Sequence, residues 1–238
     1  MAEKKVALVT GANKGIGYEI AAGLGELGWR VGVGARDDGR RQGAVEELRA
    51  AGVDAFGVPL DVTDAASVVA AAARLEQEGG LDVLVNNAAI TGGIPQEPTS
   101  VGPDTIRAVV DTNVIGVVRV TNEMLPLLRR STAPRIVNMS SGVGSLTRQS
   151  DPAGESGPIS AAYAPSKSFL TAVTVQYAKE LRDTPILVNA GCPGFVATDL
   201  NGFRGHRTPR QGAAIELATL PADGPSGGIF DDAGVVPW

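Results

Sequence analysis

Short apolar runs alternate along this chain with longer stretches of helical period, and that alternation limits its fold more than any other property. The runs cover residues 6–10, 31–35, 55–60, 81–85, 135–139 and 186–190. They are rich in Val, Ile and Leu without alternating polar residues, which is how strands buried on both faces of a parallel sheet read. Between them, Ile16, Ile20, Leu24 and Leu27 share one helical face, as do Val45 and Leu48, then Val68, Ala72 and Leu75. Strand–helix–strand units joined by right-handed crossovers build an α/β fold, a doubly wound parallel sheet with helices on both faces. No linker rich in Pro, Gly or Ser separates two cores, so residues 1–238 are expected to form a single domain.

Two stretches break the regularity. Residues 144–158 lack any period and read as an irregular loop, either a lid or a solvated connection. Residues 194–211 form a second irregular loop holding Arg204, His206, Arg207 and Arg210. Following the C-terminal end of a strand, it is expected to border a ligand.

Composition excludes several functions. Of 238 residues, 43% are hydrophobic and 20% charged, and no apolar run approaches the roughly 20 residues of a membrane span. The net charge of −5 argues against a nucleic-acid surface, which needs a basic face. A lone Cys192 and a lone His206 allow neither an internal disulfide nor a plausible metal set. Residues 1–5 lead straight into a strand-like run with no apolar signal stretch, so a cytoplasmic protein is expected.

The segment Thr10-Gly11-Ala12-Asn13-Lys14-Gly15-Ile16-Gly17 joins the first strand to the first helix. Gly11 permits the tight turn, Gly15 lets the backbone approach a phosphate, and Gly17 allows close helix packing. The helix start then offers N–H groups and a positive dipole end to a pyrophosphate, which makes the expected domain Rossmann-type. At the end of the second strand stand Gly34-Ala35-Arg36-Asp37. A carboxylate there would select the ribose 2′-OH of NAD(H), whereas an arginine suits the 2′-phosphate of NADP(H). Arg36 and Lys14 are two cations for that phosphate, so NADP(H) is preferred. Asp37 and Asp38 keep NAD(H) open as an alternative.

Tyr163 and Lys167 stand at i and i+4, on one helical face. An adjacent ammonium stabilises a phenolate, lowers its pKa and turns tyrosine into an acid–base group. Pro165 confines the pair to the first turn of its helix. Ser140 and Ser141 end the fifth strand, at the sheet edge where open α/β sheets bind ligands.

Taken together, Thr-Gly-x-x-x-Gly-x-Gly, Asn86-Asn87-Ala88-Ala89, Asn113, Ser141, Tyr163-x-x-x-Lys167 and Pro193-Gly194 resemble the short-chain dehydrogenase/reductase family, and within it the carbonyl reductases. The resemblance covers nearly the whole chain. It implies that Tyr163 protonates a carbonyl oxygen as hydride arrives, that Ser141 polarises that oxygen, and that Lys167 supports the tyrosine and holds the nicotinamide ribose. Asn113 would hold a water linking Lys167 to solvent. Asp61 and Val62 would contact the adenine, and Asn87, Ala88 and Ala89 the adenosine side. Pro193, Gly194, Val196 and Thr198 would line the nicotinamide, while Gly11, Asn13, Lys14, Gly15, Ile16 and Gly17 cradle the phosphates. The partner is then a small carbonyl or alcohol substrate. A 3-oxoacyl thioester reductase and a non-catalytic NADP(H)-sensing regulator are the alternatives. Phe169, Leu170, Val173 and Tyr177 read as core or interface, which leaves a homo-oligomer open.

Overall fold

In the first strand, β1 (Val6–Thr10), Val6 and Leu8 enter one apolar cluster while Ala7 and Val9 enter another, and all are buried. Both faces of the strand are therefore covered, which is why the run is continuous rather than alternating. The computed structural model describes residues 4–93, 96–152 and 157–238. Its further strands are β2 (Arg30–Ala35), β3 (Asp54–Pro59), β4 (Val83–Asn86), β5 (Arg135–Met139), β6 (Leu187–Gly191), β7 (Ile229–Asp231) and β8 (Gly234–Val235). They form one sheet in the order β3-β2-β1-β4-β5-β6-β7-β8, parallel throughout except for the last pair.

The helices are α1 (Gly15–Glu26), α2 (Asp38–Ala50), α3 (Ala65–Gln77), α4 (Pro103–Val110), α5 (Gly116–Leu128), α6 (Leu146–Ser150), α7 (Tyr163–Glu180) and α8 (Ile215–Ala218). Three of them, α3, α5 and α7, bring Val68, Leu75, Val120, Met124 and Tyr177 to the cluster around Leu8. On the other face α1, α2 and α8 bring Ile20, Leu24, Val45, Leu48 and Leu217 to the cluster around Val9. Each fully buried aliphatic side chain contributes about 1.5–3 kcal/mol. The expected doubly wound α/β architecture is thus the observed one.

From β1 the chain steps outward through β2 to β3, then returns to β4 beside β1 and proceeds to the opposite edge. The loops leaving β1 and β4 therefore diverge, and the crevice between them is where doubly wound sheets bind ligands. Among the described residues no helix is long and apolar enough to cross a membrane.

Three local expectations need correction. The run at 81–85 becomes β4 at Val83–Asn86, and that at 186–190 becomes β6 at Leu187–Gly191. Residues 144–158 are not wholly irregular, because Ser145 caps α6 by accepting from the Arg148 N–H at 3.2 Å. A helix of one turn leaves no apolar period to read, and residues 153–156 of that stretch lie outside the described ones. The loop at 194–211 includes tight turns at Asp199–Asn201 and Arg210–Gly212. The β7–β8 hairpin has no counterpart in the sequence reading, since two and three residues are too few to show a pattern.

Candidate active site

Thr10 fastens the ends of β1 and β4 together. Its hydroxyl accepts from the N–H groups of Asn87 at 2.9 Å and Ala88 at 3.0 Å. The Asn87 amide in turn donates to the Thr10 carbonyl at 3.0 Å and the Gly11 carbonyl at 3.2 Å. Asn87 therefore shapes the glycine loop with its side chain. Gly11 has φ +64, and a side chain there would come within 2.9 Å of the Ala88 backbone. At Gly17 a side chain would meet the Gly11 carbonyl oxygen at 2.5 Å and the Asn87 amide. Both glycines are required by the closeness of this backbone, while Ala89 follows on the same half-buried loop.

The three helices of this half start differently. Asp37 caps α2 by accepting from the Arg40 N–H, and Asp64 caps α3 by accepting from the Ala66 N–H, each at 2.9 Å. The start of α1 has no side-chain cap and no acidic residue in its first turn. Its N–H groups and positive dipole end, on the backbone of Gly15, Ile16 and Gly17, are left for an anion. That open start above a side-chain-free cradle fits the pyrophosphate of a dinucleotide.

At the end of β2, Arg36 is exposed and forms no ion pair among the described residues. The two aspartates after it are occupied. Asp37 is the α2 cap, and Asp38 pairs with Arg41 and accepts from Gln42 at 2.9 Å. Asp61, after β3, accepts from the Thr63 hydroxyl at 2.7 Å and the Thr63 N–H at 2.9 Å. These bonds, with smaller help from Arg36 and Arg119, hold its carboxyl below the usual range. The neighbouring Val62 is buried, and its carbonyl accepts from Arg119. Ala12, next to half-buried Asn13, donates its N–H to the Gly34 carbonyl at 3.1 Å and so sets the glycine loop beside β2. The Lys14 ammonium is paired with Asp199, across the crevice from its own loop.

On the far side of the crevice, Pro193, Gly194, Val196 and Thr198 follow β6, with Val196 and Thr198 buried. Thr198 faces the glycine loop, its methyl 3.3 Å from where a Gly15 side chain would begin.

Tyr163 opens α7, so Pro165 falls within the first turn, where the ring clashes with nothing. Ser141 lies close enough to the Tyr163 phenol to favour its ionised form slightly. Ser140 turns away, its hydroxyl 3.2 Å from that of Thr171 and 3.4 Å from the Lys167 carbonyl, beneath α7. This separates the two serines that the sequence left adjacent. Lys167 is buried, with its ammonium 5.5 Å from the Tyr163 ring centre and donating to the Met139 carbonyl at 2.7 Å.

The expected lowering of the tyrosine pKa is absent. Burial, with a smaller push from Cys192, drives the Tyr163 phenol up to about 12, against a lesser opposing effect of Ser141. Burial also pulls Lys167 down to about 8. Desolvation disfavours the charged form of each group.

Asn113 lies in a wide π-turn, Asp111–Ile115, between α4 and α5, and is wholly buried. Its amide oxygen accepts from the Ile90 N–H at 2.9 Å, and its nitrogen donates to the Ile90 carbonyl at 2.9 Å and to Ser166 at 3.0 Å. Both amide hydrogens are thus engaged, and the oxygen accepts one bond.

Beneath these groups runs a buried polar chain that sequence reasoning passed over. Asn86 donates to Thr121 at 3.1 Å and to Asn138 at 2.9 Å, and Asn138 donates to Thr174 at 2.9 Å. It ties β4, β5, α5 and α7 directly under the site. The signal was available as an asparagine within each of two mainly apolar strands, since a buried amide needs partners.

The model of the short chain dehydrogenase family matches residues 5–208. The chain is 36% identical to carbonyl reductase (NADPH) 1 of Sus scrofa, over 98% of this chain and 94% of that protein. It is 41% identical to a putative ketoacyl reductase of Streptomyces coelicolor, over 83% of this chain and 73% of that one. The NADPH-bound carbonyl reductase from chicken fatty liver superposes with a TM-score of 0.87 at 28% identity, covering 99% of this chain and 100% of that one. With a family model over most of its length and relatives across nearly all of it, the chain belongs to the short-chain dehydrogenase family and is an oxidoreductase of that kind.

Proposed function

We propose that the chain is a cytoplasmic NADP(H)-dependent carbonyl reductase, interconverting an aldehyde, ketone or keto ester with its alcohol. One observation carries the reading: Ser141, at the carboxyl end of β5, neighbours the Tyr163 phenol, and the Lys167 ammonium lies 5.5 Å from the same ring's centre. A single carbonyl oxygen can accept from both hydroxyls. The bound reduced nicotinamide supplies the hydride. Tyr163 donates its proton to the oxygen as charge develops there, while Ser141 holds and polarises it. A phenol near 12 is protonated throughout the neutral range and is ready to donate. Asn113 is a positioning residue that joins the 90 segment to α7 through Ser166.

The cofactor preference rests on the free Arg36 and on the engagement of Asp37 and Asp38 elsewhere. The backbone from Gly11 to Gly17 would take the pyrophosphate and the Lys14 side chain, with Arg36, the 2′-phosphate; Asp61, Val62, Asn87, Ala88 and Ala89 would take the adenosine, and Pro193, Gly194, Val196 and Thr198 the nicotinamide. The pig and chicken carbonyl reductases, both named for NADPH, support the same choice.

Similarity to a ketoacyl reductase favours 3-oxoacyl thioester reduction as the second reading. That reading needs a basic surface for an acidic carrier. Here Arg210 is paired with Glu26 at 2.7 Å and Arg207 with Asp232 at 2.5 Å, so most of the basic loop is neutralised within the chain. Absorbance of NADPH and NADH, followed against a panel of small carbonyls and a 3-oxoacyl thioester, tests the assignment. Faster oxidation of NADPH with the small carbonyls is the expected result. Preference for the thioester would install the second reading, and tight nucleotide binding without turnover on the panel would favour a sensor.

A further inference from the structure

We infer that Asp199 sets cofactor selectivity by competing with the 2′-phosphate of NADP(H) for Lys14, an inference that rests on the dinucleotide reading above. Lys14 comes from the glycine loop and Asp199 from the turn after Thr198, so their ion pair bridges the two banks of the crevice. The glycine loop is fixed beside β2 through the bond from Ala12 to Gly34, which brings Lys14 to the same end of the sheet as Arg36. These are the two cations suited to a 2′-phosphate, and only Arg36 is unpaired among the described residues.

The two partners differ in freedom. Asp199 is presented by a turn closed at both ends. The Thr198 N–H donates to the Asn201 amide oxygen at 3.3 Å, and the Asn201 nitrogen donates to the Val196 carbonyl at 2.9 Å. Lys14 has a long, half-exposed side chain and no other partner among the described residues. The lysine therefore moves and the aspartate stays. A phosphate monoester, carrying about −1.5 to −2 near neutral pH, draws the ammonium away from a single carboxylate. That exchange loses the Lys14–Asp199 pair and leaves Asp199 as an unpaired anion near the arriving phosphate. NAD(H) brings no 2′ charge and leaves the pair intact, so Asp199 weakens NADP(H) binding selectively.

Calorimetric titration of the wild-type chain and of Asp199→Asn with NADPH and NADH tests this. An exposed pair of this kind contributes about 0.2–1 kcal/mol, so Asp199→Asn is expected to tighten NADPH about 1.5- to 5-fold and to leave NADH unchanged. In a Lys14→Met background the same substitution should have no effect, because Asp199 acts only through Lys14. Unchanged or weaker NADPH binding by Asp199→Asn overturns the inference, as does equal tightening of NADH or an undiminished effect without Lys14. Those results leave the dinucleotide reading intact if wild type still binds NADPH. Failure of wild type to bind either nucleotide overturns both.

Discussion

The two ends of the crevice treat their polar groups in opposite ways. Around β1, β2 and α1 they are left open, with α1 uncapped and Arg36 exposed without an ion pair among the described residues. Around β5 and α7 they are closed: Lys167 is bonded to a buried carbonyl, Asn113 has both amide hydrogens engaged, and the Tyr163 phenol is desolvated. Binding an anion needs donors that water has been holding and a ligand can replace. Transferring a proton needs groups whose protonation is controlled by burial and by fixed partners. One fold supplies both because strand ends and helix starts meet on the same side of the sheet.

The largest expected break is at the closed end. Tyr163→Phe removes the proton donor and should lower kcat by at least ~100-fold, while calorimetry finds NADPH binding preserved. Turnover that survives the change would place the acid–base group elsewhere. At the open end, Arg36→Ala should weaken NADPH about tenfold or more, the scale of a lost charge-assisted contact, with NADH little affected. Equal loss for both nucleotides would remove Arg36 from the 2′ position.

Lys167 sharpens the comparison through pH. Because burial lowers it to about 8, it is charged below that value and neutral above it. The kcat/KM for reduction should therefore fall as pH rises through about 8, as the ammonium that supports the developing phenolate is lost. Lys167→Met should be slow throughout and lack that limb. The sign for stability is opposite. Between about 8 and the ordinary lysine value the unfolded chain binds the extra proton, so stability should rise with pH across that window, and Lys167→Met should abolish the rise.

The smallest effect separates capped from uncapped helix starts. Asp64→Ala removes the α3 cap and should lower stability by about 1 kcal/mol, a Tm shift of about 2–4 °C. Lys14→Ala, at the position that precedes α1 without capping it, should shift Tm by less. Equal shifts would show that α1 is held by its first turn after all.

Much of this molecule can be read from its residues alone. Unbroken Val, Ile and Leu runs require strands covered on both faces, and glycines after the first of them require a turn that no side chain fits. The i and i+4 spacing places Tyr163 and Lys167 on one face of a helix whose start Pro165 limits. These are local properties, dictated by backbone sterics and by the periods of helix and strand. Other features depended on which distant segments meet. The diversion of Lys14 to Asp199, 185 residues later, has no local signature. The choice of Ser141 over Ser140 was decided by where α7 packs on β5. The tyrosine pKa likewise came from the fold, because desolvation is set by everything that surrounds a side chain and sequence spacing records only its nearest neighbours.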